Sequence, residues 1–430
     1  MVTFAVSTLG CKVNAYESEG YVQGLLECGY REVSFKEIAD IYIINTCAVT
    51  NTASAKSRQR IHQAKALNPN AFIAVVGCYV QVDSERLAKA EQIDILIGSD
   101  QKVLLPQLIQ SALQDRKPQK IVHDVRSLRT FEALPISRFH RQTRAYLKIQ
   151  DGCNQFCSYC IIPFARGAER SLPIDQAIAV AKNLIANQHR EIVLSGIHTG
   201  RYGRDLGTDL LTLLKRMADE VSGLERIRIS SIEMNEISDE LLMYMAKEPK
   251  LARHLHIPIQ SGSDHVLELM HRPYRMDWFQ RRVEHIRALM PDISISTDVI
   301  VGFPQESEED FENTCRNLQQ LQLSFLHVFP YSKRDHTAAA DMSGHLDNRT
   351  KKQRAARLNE LSKTLYHTYK QQFIHHSVDV LLEESKEPGW LFGHTSEYLP
   401  VKVAGDETAL HTMKQVTLID LDSDDVLIGE

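Results

Sequence analysis

Over roughly the first 120 residues, short β-branched and apolar runs (TFAVST, DIYIINT, AFIAVVG, IDILIGS) alternate with stretches of helical spacing. That alternation predicts a doubly wound parallel α/β sheet. From about 144 to 335 a strand pattern followed by a helical pattern repeats about six times. RAYLKIQ, EIVLSGI, ERIRISSI, HLHIPIQ, ISTDVIVGF and LSFLHVFPYS are the strands, with helices over 174–188, 207–221, 276–290 and 306–321. This predicts a parallel barrel or partial barrel whose active site lies at the C-terminal strand ends. A linking helix near 348–372, basic at its start (RTKKQRAAR), leads into short strands with turn signals, VDVLLEE, KEPGW, LPVKV and QVTLIDL. These predict a small β-barrel. The expected division is an α/β domain over 1–120, a basic linker over 121–143, the partial barrel with its helix over 144–372, and the β-barrel over 373–430.

A chain of 430 residues is too long for one ordinary core, and 43% apolar content with balanced charge describes a soluble globular protein. No run is long enough to span a membrane, and the N-terminus lacks the features of a signal peptide, so no membrane partner and a cytoplasmic location are expected. There the eight cysteines stay reduced, and clustered ones point to metal or catalysis rather than disulfides.

Cys11, Cys47 and Cys78 each lie just past the end of an N-terminal strand run, in TLGCKVN, INTCAVT and VGCYVQ. In an open parallel sheet those ends share one rim, where ligands bind. They are either small buried hydrophobes or one shared metal centre, and three of three at equivalent strand ends favours the metal. Cys28 and Cys315 lie inside helical patterns and are assigned to packing. A second set, Cys153, Cys157 and Cys160, follows the first barrel strand in GCNQFCSYCIIP, with no fourth cysteine or histidine nearby. A structural zinc site is closed by four ligands, whereas a cubane iron–sulfur cluster on three thiolates keeps one iron open for a substrate or cofactor.

That spacing, with Tyr159 before the last cysteine, resembles the radical S-adenosylmethionine (SAM) superfamily. The resemblance implies a [4Fe–4S] cluster whose open iron chelates SAM and an electron transfer that cleaves it to a 5′-deoxyadenosyl radical. It further implies SAM contacts at Ser195 and Gly196 (LSGIH), at Gln260, Ser261 and Gly262 (PIQSGSD), and at the adenine-packing turn Gly302, Phe303, Pro304 (DVIVGFP). TLGCKVNAYESE, NTCAVTNTASAKSRQRI, GCYVQ, GCNQFCSYCIIPFARGAERS, GIHTGRYG, QSGSD and TDVIVGFPQESEEDF together resemble the radical SAM methylthiotransferases over nearly the whole length, and the tail resembles their TRAM β-barrel. Within that family GCNQFCSYCIIP, GIHTG and HVFPYSKR most resemble the enzymes acting on N6-threonylcarbamoyladenosine in tRNA, rather than on isopentenyladenosine or a ribosomal protein side chain. The implied activity converts that nucleoside, 3′ of the anticodon, to its 2-methylthio derivative by hydrogen abstraction at C2, sulfur insertion and SAM-dependent methylation. It also implies two [4Fe–4S] clusters, the second on Cys11, Cys47 and Cys78, an anticodon stem-loop as partner, and a separate reductant and sulfur donor.

A net charge of −5 is no nucleic-acid signature, but charge is uneven. Over 116–148 stand nine bases, Arg116, Lys117, Lys120, Arg126, Arg129, Arg138, Arg141, Arg144 and Lys148, with Asp115, Asp124 and Glu132 the acids beside them. Arg58, Arg60, Lys351, Lys352, Arg354 and Arg357 are candidate additions to an RNA face whose phosphate contacts give affinity without sequence choice. Against this, residues 371–430 carry twelve acids and only Lys386, Lys402 and Lys414 as bases, which is unlike an RNA grip. In SKRDHTAAADM, His336 stands where the family pattern has glycine.

Overall fold

The structure is a computed structural model and describes residues 1–90, 93–115, 117–140 and 142–430. The N-terminal apolar runs form β1 (Thr3–Thr8), β3 (Ile41–Thr46), β4 (Phe72–Gly77) and β5 (Ile95–Ile97), joined by the short β2 (Arg31–Glu32) and by β6 (Gln119–Ile121). All pairs are parallel, in the order β2-β1-β3-β4-β5-β6. Helices α1 (Lys12–Glu27), α2 (Asn51–Leu67), α3 (Cys78–Ala90) and α4 (Leu105–Asp115) make the connections. Every residue of β3 and β4 is buried, as a sheet covered on both faces requires. Ile41, Ile43, Phe72 and Ala74 pack with α1 and α4, while Tyr42, Ile44, Ile73 and Val75 pack with α2 and α3.

The second region holds six parallel strands: β7 (Ala145–Asp151), β9 (Glu191–Gly196), β10 (Arg226–Ile229), β11 (His254–His256), β12 (Ser294–Val301) and β13 (Phe325–Pro330). The two-residue β8 (Arg170–Ser171) runs antiparallel on β7. Single bridges, Ile227 to Leu251 and Ser231 to His256, join β10 to the β11 segment, so the strands follow one another around a partial barrel. Around them lie α5 (Ile162–Arg166), α6 (Ile174–Ala186), α7 (Leu210–Glu220), α8 (Asp239–Lys247), α9 (Asp264–Leu269), α10 (Met276–Leu289), α11 (Glu308–Leu321), α12 (Ala338–Asp341) and the long α13 (Asn348–Gln371). Strand alternation is sharp. Leu147, Ile149, Ile192, Leu194, Ile227, Ile229, Leu255 and Ile295 join the apolar core, whereas the intervening Lys148, Gln150, Glu191, Ser195, Arg226, Arg228, His254 and Ser296 are buried polar groups.

Five strands, β14 (Ser377–Glu387), β15 (Trp390–His394), β16 (Pro400–Ala404), β17 (Met413–Leu421) and β18 (Leu427–Gly429), close a barrel with its own core around Val380, Leu391, Val401 and Leu418. This barrel docks against the starts of β9 and β10. Arg226 donates to Asp379 O at 2.8 Å and His394 O at 3.2 Å, and Arg228 donates to Ser396 O at 2.8 Å and Thr395 O at 3.0 Å. Both guanidiniums also hold Glu191, at 3.1 and 2.7 Å.

The stretch expected as a basic linker is packed on the body. β6 reaches 121, and Val125, Leu134, Ile136 and Phe139 are buried in or against the body. Leu134 packs where a Cβ on Gly20 would meet its own Cβ at 2.9 Å, and Ser137 N donates to Gln23 Oε1 at 2.8 Å, which lays the segment along α1. Among the bases assigned to an RNA face, Lys148 and Arg354 are buried, and Arg144 pairs with Glu383 of the C-terminal barrel at 3.1 Å. Arg116 and Arg141 lie outside the described residues.

Burial alone would raise the Glu191 carboxyl, but Arg228 and Arg226 overcome it and hold the group down at about 2. Its stabilising contribution is therefore complete above the ordinary glutamate range near 4.3 and is lost as pH falls from there towards 2. Glu191→Ala leaves two buried guanidiniums uncompensated and is expected to cost about 3–5 kcal/mol in urea unfolding at neutral pH. The wild-type advantage over that variant should shrink as the measurement is repeated below pH 4.

Candidate active site

The first cysteine set sits at the switch point of the N-terminal sheet, past the ends of its adjacent strands β1, β3 and β4. Cys11 caps α1, Cys47 follows β3 and Cys78 opens α3. Side chains tie these turns together: Asn14 Nδ2 donates to Leu9 O at 2.7 Å and Thr46 O at 3.0 Å, and Thr46 Oγ1 donates to Val76 O at 2.7 Å. Gly10, at φ +110°, lets the β1 turn approach Cys47, since a Cβ there would lie 2.8 Å from Cys47 Cβ. Burial pushes the Cys47 thiol up to about 12, with Cys78 and Cys11 adding to the rise. Burial also raises Cys11, so binding of a metal, which takes thiolates, releases protons here.

The second set is built on the loop after β7. Gly152, at φ +77°, admits the carbonyl of Ala168, which would stand 2.0 Å from a Cβ, and this turns the chain into the Cys153 loop. Burial lifts Cys153 and Cys160 to about 12 and raises Cys157. Polar groups face the sulfurs. Gln155 N lies 3.3 Å from Cys153 Sγ, His198 Nδ1 lies 3.3 Å from the same sulfur, and Arg272 Nη1 lies 3.7 Å from Cys157 Sγ. His198 is oriented by Glu236, 2.9 Å from its Nε2, and Arg272 by Glu233, Tyr274 and Pro258 O. Cys153, Glu169 and His198 offer ligand atoms within 4.8 Å of one another, but Glu169 is held by Arg201 and His198 by Glu236.

One side chain reaches from the second set to the first. Arg166 ends α5, the short helix following Cys160, and is fully buried. Its Nε lies 3.1 Å from Cys78 Sγ, its Nη2 donates to Asn14 Oδ1 at 3.0 Å, and its Nη1 pairs with Glu17 at 2.7 Å and Asp151 at 3.3 Å. Lys102 and Lys148 also reach Glu17, at 2.7 and 3.3 Å, while Lys148 and Arg170 reach Asp151, at 2.7 and 3.6 Å. Four buried cations thus surround two carboxylates next to Cys78. This surplus of positive charge, together with donors aimed at sulfur in both sets, suits anionic iron–sulfur clusters on three thiolates each.

The remaining expected contacts divide. Ser195 and Gly196 end β9 beside Gln150, whose Oε1 accepts from His198 N at 2.7 Å, so this segment does lie at the mouth beside Cys153. Gln260, at φ +69°, is half-buried and pairs by its backbone with Asp298 O and Ile300 N. Ser261 is fully buried against Thr314, its hydroxyl 3.4 Å from Thr314 Oγ1, and a Cβ on Gly262 would lie 2.7 Å from Thr314 Cα. These two residues pack the loop on α11. Gly302 takes φ +70°, and Phe303 stacks edge-on with Tyr159 and Tyr331 at 6.5 and 5.2 Å, which joins the Tyr159 loop to the predicted adenine turn. Arg166, His198, Arg272 and Glu17 were not foreseen as functional. Arg166 and His198 lie within the quoted FARG and GIHTG stretches, but nothing in their spacing says which sulfur they meet.

The radical SAM superfamily model matches residues 147–318, and a family described as uncharacterized protein family UPF0004 matches 3–98. The fold resembles the radical SAM methyltransferase TsrM of Kitasatospora setae, solved with cobalamin and a [4Fe–4S] cluster, at TM-score 0.56 and 13% identity over 79% of this chain and 77% of that one. Fold and cysteine loop together define a radical SAM enzyme. Over its whole length the chain is 40% identical to the threonylcarbamoyladenosine tRNA methylthiotransferase MtaB of Bacillus subtilis, covering 97% of this chain and 94% of that one. The Aquifex aeolicus protein of the same name is 39% identical over 84% and 87%. The tRNA-2-methylthio-N(6)-dimethylallyladenosine synthase of Moorella thermoacetica is 35% identical over 97% and 95%. The chain belongs to the radical SAM methylthiotransferase family, whose members are transferases using SAM and iron–sulfur clusters.

His336 adopts φ +69°, the left-handed region that favours glycine, the residue the family resemblance implies at this place. His336→Gly is expected to raise stability by up to about 1 kcal/mol, read as a small rise in thermal midpoint.

Proposed function

We propose that this chain methylthiolates C2 of N6-threonylcarbamoyladenosine, 3′ of the anticodon in tRNA, and does so in the cytoplasm. In this reading Cys153, Cys157 and Cys160 hold the cluster that engages SAM, and Cys11, Cys47 and Cys78 hold the second. Bound there, the clusters and SAM would supply the one-electron, sulfur and methyl chemistry that an unactivated C2–H requires. Arg166 keeps the two sites in register, and Phe303 with Tyr159 shapes the adenine side of the SAM pocket.

The observation that carries the choice of nucleoside is the polar wall beside Cys11. Lys12, the next residue, is accessible yet walled in by protein, and burial with Arg144 and Arg228 holds its ammonium down at about 8. Its charge also acts on His254 and His327, and His256 stands 3.3 Å from Asp298 and meets His327 edge-on at 5.3 Å between ring centres. A threonylcarbamoyl group brings a carboxylate and a hydroxyl that can use such donors. An isopentenyl group carries no polar atom to meet them. No described helix is long and apolar enough to cross a membrane.

Nucleoside mass spectrometry on total tRNA from cells with and without the protein tests the reading. Loss of 2-methylthio-N6-threonylcarbamoyladenosine with accumulation of its precursor is expected, and loss of the isopentenyl analogue, or no change in any nucleoside, would sink it. Cys157→Ala is expected to abolish SAM cleavage. Cys47→Ala should retain cleavage and lose sulfur insertion, so methylthiolated tRNA made by that variant would refute the division between the two sites.

A further inference from the structure

Next to both cysteine sets the turn before α12 closes a cavity of about 300 Å³ against α2 and α3, lined by Ser54, Arg58, Tyr79, Arg86, Arg334 and His336. Tyr79 follows Cys78, and Ile161, which also lines the cavity, follows Cys160, so the space adjoins the ligand loops of both sets. Two of its polar groups are buried without a partner. Arg334 is 9% exposed and its Nε has no hydrogen bond, although Nη1 is held by Asn51 Oδ1 at 2.6 Å. Ser54 is 5% exposed and its hydroxyl likewise bonds nothing. Arg58 is aimed by Tyr79, whose hydroxyl accepts from Nη1 at 2.7 Å. Arg86 stands at the open rim, 66% exposed, and approaches Asp83 only at 3.8 Å. Asp83 and Asp335 are the acids of the lining, set against three guanidiniums.

An unpaired buried donor costs about 1–3 kcal/mol, so Arg334 Nε and the Ser54 hydroxyl favour a ligand that accepts hydrogen bonds from them. Arginine forks match oxyanions, above all phosphate, with paired charge-assisted hydrogen bonds. His336 adds an imidazole from a left-handed turn position that glycine would occupy without strain. The strain has a use if the ring meets a ligand. We propose that this cavity seats a backbone phosphate of the RNA substrate and so fixes the target nucleoside relative to the paired cysteine sites. The proposal deepens the reading above and rests on RNA being the substrate.

The test is fluorescence anisotropy of a labelled anticodon stem-loop bound to the full, cluster-reconstituted chain at several salt concentrations. The Arg58→Gln, Arg86→Gln double variant is expected to bind roughly tenfold more weakly. Its slope of log affinity against log salt should be shallower by about one, the signature of a lost phosphate contact. Arg58→Lys with Arg86→Lys should restore most of the slope, and Lys386→Gln with Lys414→Gln, the same loss of two charges on the C-terminal barrel, should leave it unaltered. Matching thermal midpoints and iron contents show that the variants are folded. His336→Gly should weaken binding while the protein becomes no less stable. If the double variant keeps wild-type affinity and slope, the cavity does not seat a phosphate of the RNA. If it loses protection by inorganic phosphate against thermal unfolding but binds RNA as before, the cavity takes the free ion and the RNA assignment is overturned. Failure of the wild-type chain to bind any stem-loop overturns the RNA substrate itself, and the phosphate seat with it.

Discussion

The architecture depends on a buried knot of charge. Glu17 comes from α1 of the first sheet, Lys102 from the turn before α4, Lys148 and Asp151 from β7, and Arg166 from the helix after the second cysteine loop, and all are nearly inaccessible to water. Each ion alone would be very costly to bury, and removing one partner from such a group typically costs several kcal/mol. The knot ties α1, the turn before α4, β7 and α5 together across the two α/β layers. In that arrangement a guanidinium from one cysteine loop touches a sulfur of the other. The excess positive charge is a standing demand for an anion at Cys78, which a thiolate-bound cluster meets.

The same logic sets the interior of the partial barrel. Its strands bury apolar side chains against the helices and turn Glu191, Arg226, Arg228, His254 and Ser296 the other way, so the inside is polar. The C-terminal barrel is held largely by what this interior offers, two arginines reaching its backbone carbonyls. Its many acids are thus compatible with a docking and closing role. The positive charge near the reaction site comes instead from α1, α2, α3 and the turn before α12, where Lys12, Arg58, Arg86 and Arg334 stand.

Much of this could be read along the chain. Strand and helix periods identify all three regions, because burial on one or both faces writes itself as alternation or as continuous apolar runs. The cysteine sets could be read because a metal needs particular atoms, and local spacing, or position after a strand, brings those atoms together. The stretch 121–143 reads as a basic linker because its bases are conspicuous in composition, while Leu134, Ile136 and Phe139, which dock it on the body, are scattered singly. Ser261 and Gly262 are implied as SAM contacts by the resemblance, and the structure packs both against Thr314 of α11.

By itself, then, the sequence determined the order of elements, the two groups of three thiols and the kind of chemistry they support, since each depends on residue type at short range. Only the tertiary structure decided which charges are spent inside and which remain free. Lys148 and Arg354 look no different along the chain from Arg58 and Arg86, yet the first two are buried in ion pairs and the latter two line a cavity. Besides Asp151, three residues from Lys148, the partners that bury them are Glu17, 131 residues from Lys148, and Glu306, 48 residues from Arg354. Coulomb interactions in a low-dielectric interior depend on separation in space, to which position along the chain is a poor guide.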